Sequence, residues 1–243
     1  MRFKDKHIVI LGGTSGIGLA VAHASLDEGA SVSVASSRQK TVDKACADLG
    51  ARFSANFKAQ AVNVASEDAL KDFFERVGAF DHLVFTAGED LPLGPIADKN
   101  LNDARKRFEI RFWGALASAK HGVRTIREGG SITLTSGFSS GRPRSGWTTQ
   151  ASVQSAVEGL TRALAVELAP IRVNAVSPGL TRTPRWNSWS ESFRRKVYQE
   201  EEHRLPVGRI GEAADLATAY LYLMENSFAT GTVTLVDGGG ALV

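Results

Sequence analysis

With one cysteine, Cys46, among its 243 residues, the chain has no intrachain disulfide available. Cysteine poverty fits a reducing compartment, and a cytoplasmic location is expected. Long apolar runs are also missing. No window reaches the roughly 18 to 20 apolar residues that crossing a bilayer takes. The opening Met1-Arg2-Phe3-Lys4-Asp5-Lys6-His7 lacks the apolar stretch of a signal peptide, so no membrane partner is expected. Charge of one sign does not dominate, since 29 basic residues stand against 26 acidic ones. The longest basic run is Arg194-Arg195-Lys196, too short for the basic stripe of a nucleic-acid binder, so nucleic acid is not expected either. The histidines show no metal-ligand spacing, and no metal is expected. Tyrosine is scarce: Tyr198, Tyr220 and Tyr222 are the only three. No phenol is therefore available from Met1 to Val197 as an acid or base.

Short apolar runs alternate with helical patterns. Strands are expected at 7–11, 31–35, 58–62, 82–85, 131–134, 172–175 and 232–236. Helices are expected at 16–28, 40–49, 66–77, 102–126, 151–168 and 212–224. This alternation predicts an α/β fold, Rossmann-type and doubly wound, with a seven-stranded parallel sheet and helices on both faces. Ile8-Val9-Ile10-Leu11 is apolar throughout, as burial on both faces requires. No composition break divides the chain, so residues 1–243 are expected to form one dinucleotide-binding domain. The segment 181–206 is rich in arginine and tryptophan and is expected to be a lid-like insertion over a cleft.

Gly12-Gly13-Thr14-Ser15-Gly16-Ile17-Gly18 follows the first strand and opens the first helix. A pyrophosphate site needs a tight turn, close backbone approach and a helix start whose free N–H groups face the anion. Gly12, Thr14, Ser15, Gly16, Ile17 and Gly18 are thus candidate coenzyme ligands. The second strand ends in Ser36-Ser37-Arg38, where NAD-preferring folds place a carboxylate for the ribose hydroxyls. Two hydroxyls and a guanidinium suit a 2′-phosphate instead, so NADP(H) is the expected coenzyme.

The spacing Gly-x-x-x-Gly-x-Gly resembles the short-chain dehydrogenase/reductase family, and other segments extend the resemblance over nearly the whole chain. They are Thr86-Ala87-Gly88, Asn63-Val64, the helix from Glu158 to Ala169, Ile171 to Gly179, and Gly231 to Gly239. The resemblance implies that Asn63 and Val64 lie at the adenine and that Thr86, Ala87 and Gly88 border the coenzyme. It also implies that Pro178, Gly179 and Thr183 hold the nicotinamide end. A homodimer or homotetramer is implied on the helices 102–126 and 151–168.

The resemblance breaks at the catalytic residues. The family's tyrosine position falls on Gln150, its lysine position on Gln154 and its asparagine position on Arg111; a serine remains as Ser136. A phenol beside a cation can be tuned towards neutrality, but a carboxamide neither gives nor takes a proton in that range. Positioned acid–base catalysis contributes about 10² to 10⁴ in rate. Three readings stay open. The first is an oxidoreductase on a carbonyl or alcohol small molecule, with Arg111 stabilising an oxyanion. The second is a weakly active or inactive NADP(H)-binding sensor or structural subunit. The third is hydride transfer to an activated alkene or imine. Trp186, Trp189 and Phe193 in the lid, and the arginines 111, 142, 144, 182 and 185 near the cleft, leave an aromatic or anionic substrate open alongside plain packing and solvated charge.

Overall fold

A computed structural model describes residues 1–89 and 93–243. The first half of the fold runs β1 (His7–Leu11), α1 (Gly16–Asp27), β2 (Ser31–Ser36), α2 (Gln39–Phe53), β3 (Phe57–Ala61), α3 (Glu67–Val77) and β4 (Phe80–Phe85). The second half runs α4 (Leu101–Phe108), a π-helical segment Glu109–Trp113, α5 (Gly114–Gly122), β5 (Ile126–Thr135), α6 (Thr148–Glu167) and β6 (Arg172–Pro178). It closes with β7 (Thr181–Arg182), α7 (Glu191–Arg204), β8 (Gly211–Glu212), α8 (Ala213–Glu225) and β9 (Val233–Val236).

Seven strands form one sheet in the order β3-β2-β1-β4-β5-β6-β9, and every pairing is parallel. β1 shows why. Ile8 and Ile10 pack on one face with α1 and α8, while Val9 and Leu11 pack on the other with α3, α5 and α6, all without solvent exposure. Full burial of each such side chain contributes about 1.5–3 kcal/mol. The chain order reverses between β1 and β4, and ligands of open α/β sheets bind beyond the carboxyl ends of strands at such a point.

The expected fold and its seven strands are present. One expected helix is not. The span 102–126 divides into α4, the π-helical segment and α5, and β5 begins at Ile126. The segment 181–206 contains a fourteen-residue helix, α7, that the sequence pattern did not show. No described helix is long and apolar enough to cross a membrane.

Candidate active site

A cavity of about 950 Å³ opens at the carboxyl ends of the central strands. One end begins at the glycine turn. Gly12 and Gly16 have φ of +90° and +53°, which L side chains rarely adopt. A Cβ on Gly12 would lie 2.5 Å from the Ala87 nitrogen, and one on Gly18 would lie 2.4 Å from the Gly12 oxygen. The turn, the start of α1 and the loop after β4 therefore pack backbone to backbone.

The starts of α3, α4, α7 and α8 are closed by their own side chains, while those of α2 and α6 are not. Ser66, Asn100 and Ser190 each accept a backbone N–H at the start of α3, α4 and α7. Ser15 precedes α1 but makes no capping hydrogen bond. The first N–H groups of that helix, orphaned in any α-helix, thus face the cavity. A phosphate matches that donor set. Ser36, Ser37 and Arg38 line the cavity beside this turn, with Thr41 and Lys44 from α2. The Thr41 hydroxyl is 3.0 Å from that of Thr14 and 3.2 Å from that of Ser36, tying turn to strand end. Sequence reading passed over Thr41 and Lys44, although α2 begins directly after Arg38.

Asn63, Val64, Thr86, Ala87, Gly88, Pro178, Gly179 and Thr183 line the same cavity. Thr183 leans on the turn, since a Cβ on Gly16 would meet its side chain at 3.3 Å. All the residues expected at the coenzyme are thus brought to one continuous space. Its glycine cradle, uncapped helix start and basic strand end fit a phosphate-bearing dinucleotide.

The far end is built on α6. Gln150 and Gln154 lie one helical turn apart, on one face, and both are 6% exposed. Arg185 Nη2 donates to Gln150 Oε1 at 3.3 Å, and the Ser139 hydroxyl donates to Gln154 Oε1. Both side-chain oxygens are therefore occupied. Among the described residues no hydrogen bond engages either Nε2. The Gln154 carboxamide fills the space beside Gly137, where a Cβ would lie 2.1 Å from its Nε2.

Ser136 also borders the cavity, but its hydroxyl donates to Glu158 Oε1 at 2.8 Å and approaches the Gln154 carbonyl at 3.3 Å. Glu158 lies one turn beyond Gln154 and also accepts from Ser140. Sequence reading gave Glu158 no role; its spacing of four from Gln154 was the available signal.

Arg111 sits in the π-helical segment, with its side chain 8% exposed. Its Nε is 3.4 Å from Glu89 Oε1, which also pairs with Arg107 Nε at 3.2 Å. A Cβ on Gly88 would meet Arg111 Nη2 at 2.2 Å, so a glycine at this position lets the guanidinium approach the loop after β4. Glu89, which sequence reading also missed, lines the cavity.

Of the five arginines expected at the cleft, only Arg111 and Arg185 line it. Arg142 donates to the Ala241 carbonyl, Arg144 pairs with Glu201, and Arg182 pairs with Glu202 and Glu212. Carboxylates and backbone oxygens outside the cavity outcompete it for these three.

No tyrosine is among the lining residues. Tyr198 packs with Leu180, Leu205 and Ile210, and burial raises its phenol's pKa. Tyr220 is fully buried, bonded to Thr135 Oγ1 at 2.6 Å, and burial raises its phenol too.

The family model described as enoyl-(acyl carrier protein) reductase matches residues 12–240. The short-chain dehydrogenase/reductase fsr5 of Gibberella fujikuroi is 35% identical, over 99% of this chain and 96% of its own. A crystal structure of a small-chain dehydrogenase in complex with NADPH is 40% identical with a TM-score of 0.85, covering 98% of this chain and 99% of that one. The structure of MalC reductase/Diels-Alderase from Malbranchea aurantiaca is 30% identical with a TM-score of 0.92, covering 100% of this chain and 98% of that one.

Proposed function

The chain belongs to the short-chain dehydrogenase/reductase family, and from that premise we propose that it is an NADP(H)-dependent oxidoreductase acting on a small-molecule carbonyl or alcohol through a non-standard site. The family works with a nicotinamide coenzyme. The preference for NADP(H) is supported by Ser36, Ser37 and Arg38 at the end of β2 and by the NADPH in the similar solved structure. Thr14, Ser15, Gly16, Ile17 and Gly18 would hold the pyrophosphate. Asn63 and Val64 would border the adenine, and Thr86, Ala87 and Gly88 the ribose side. Pro178, Gly179 and Thr183 would fix the nicotinamide end. When bound, the coenzyme supplies or accepts the hydride.

The rest of the chemistry falls to the side chains at the other end. Gln150 and Gln154 have their oxygens engaged by Arg185 and Ser139. Their N–H groups are left to donate, Gln150 to a carbonyl oxygen and Gln154 to the coenzyme or the substrate. Arg111, braced by Glu89, adds a fixed positive charge near the same oxygen. Donors held in place before the reaction stabilise developing oxyanion charge without transferring a proton. The proton is exchanged with water, so turnover does not follow the titration of a phenol. Arg111 and Arg185, at this end of the cavity, weigh against a cationic acceptor such as an iminium ion. The segment 181–206 is proposed as the cover of this space, and self-association as a dimer or tetramer is proposed on the side of the exposed Trp113 and Val166.

The observation that carries this reading is the engaged pair of carboxamide oxygens. The test combines calorimetry with NADPH and NADH and a turnover assay on a panel of carbonyls. NADPH is expected to bind more tightly, and the native chain to oxidise it. Gln150→Ala is expected to slow turnover by about 10²-fold, the usual effect of losing one oxyanion donor. A silent native chain beside an active Gln150→Tyr, Gln154→Lys double variant makes the protein a coenzyme-binding sensor or structural subunit instead.

A further inference from the structure

Three of the four tryptophans, Trp147, Trp186 and Trp189, line the cavity together with Phe138. The dinucleotide end uses glycines, hydroxyls and small aliphatic groups, and needs none of these rings. Phe138 and Trp147 meet edge to face at 5.6 Å between centroids, directly beside Gly137 and Gln150. Trp186 and Trp189 meet at 4.5 Å on the segment that follows Thr183.

Both pairs are braced. The Arg144 guanidinium lies 5.3 Å from the Phe138 ring centre and 5.9 Å from that of Trp147. It is fixed there by a two-pronged pair with Glu201 of α7, at 2.7 and 3.2 Å. Burial opposes the charge on Glu201, but hydrogen bonds from Arg144 and Arg204 outweigh it and hold the carboxyl below its usual range. The Trp186 indole N–H donates to the Thr181 carbonyl at 2.9 Å, so its polar edge is already satisfied. Trp186 also carries the Arg185 guanidinium 5.3 Å from its ring centre, so each pair presents ring carbon to the cavity with a fixed cation at its back or edge.

We propose that the substrate is a planar aromatic carbonyl compound that stacks on Trp147 and Trp186 with its carbonyl towards Gln150. The proposal rests on the oxidoreductase reading above and names its substrate class. Reduction adds a hydride from NADPH to the carbonyl carbon; the π pair moves to oxygen, which takes a proton from water.

The test separates binding from turnover. The NADPH-saturated protein is titrated calorimetrically with naphthalene-2-carboxamide and with octanamide, neither of which is reduced. The naphthyl amide is expected to bind at least about tenfold more tightly. Trp147→Leu and Trp186→Leu are each expected to weaken it by about two- to tenfold, the scale of one aromatic pair. Unchanged coenzyme affinity shows that each variant is folded, and Trp189→Leu substitutes for one that is not. Equal binding of the two amides, or Trp variants that bind like the native chain, overturns the proposal. Turnover is measured in parallel with 2-acetylnaphthalene and 2-octanone. Naphthyl binding without turnover of either ketone leaves the aromatic wall standing and removes the oxidoreductase reading. Reduction of 2-octanone without naphthyl binding does the reverse.

Discussion

Gly137→Ala probes the packing of the site with one methyl group. The Gly137 backbone is extended, at φ 171° and ψ 155°, so alanine adopts it without strain. The obstacle is space. The new Cβ would lie 2.1 Å from Gln154 Nε2, 2.6 Å from its Cδ and 3.0 Å from its Oε1. Carbon contacts settle at about 3.5–4.0 Å, so the carboxamide must retreat by more than an ångström. That breaks the bond from Ser139 and leaves a buried hydroxyl seeking a partner. A lost hydrogen bond costs about 1 kcal/mol, and an unsatisfied buried group about 1–3 kcal/mol. A total of about 2–4 kcal/mol lowers the melting temperature of a chain this size by roughly 4–16 °C. Differential scanning calorimetry of Gly137→Ala, Gln154→Ala and the double variant reads it. Once Gln154 is truncated the methyl group has room, so Gly137→Ala should cost less than about 0.5 kcal/mol in that background. Additive effects, or a single variant that melts with the native chain, would refute the packing argument.

Two further outcomes follow from other parts of the molecule. Arg38→Ala should weaken NADPH by roughly ten- to a hundredfold, the worth of a charge-assisted hydrogen bond, while leaving NADH within about twofold; calorimetry checks both. His82 is 5% exposed and burial lowers its pKa from 6.5 to about 4. The unfolded chain therefore binds the extra proton first. Stability is complete above pH 6.5 and is lost as pH falls towards 4, by about 3 kcal/mol over the window. Urea midpoints measured from pH 7 to 4 should show this slope, and His82→Gln should reduce it, leaving the part due to His7, whose pKa burial also lowers.

The parts of the fold that carry a strong local period were legible. β1, α1, β2, α3 and α8 fall within a residue or two of their expected limits, because apolar runs and glycine breaks are local signals. α7 was missed because its fourteen residues are charged almost all round and only Tyr198 and Glu201 are buried. The amino-terminal half of β5 was missed because Arg127, Glu128 and Gly129 are exposed. At the site, residue identities could be counted off from the glycine turn and from α6. Their partners could not. Glu89 reaching Arg107 and Arg111, or Arg185 reaching Gln150, are tertiary contacts with no sequence period. The arginines show the same limit. Their segments placed five at the cleft, and three found acceptors elsewhere.

The π-helical segment Glu109–Trp113 carries one residue more per turn than its flanks need. Deleting a single residue there would let α4 and α5 run on as one regular helix, with better backbone hydrogen bonds. It would also swing the side chains before the deletion by about 100° relative to those after it. A guanidinium displaced by that rotation would lose its contacts with Gly88 and Glu89 together, since both lie on the same loop. A shortened chain of this kind gains regularity in one helix at the expense of a guanidinium on the cavity wall, so the surplus residue trades helical order for the placement of that charge.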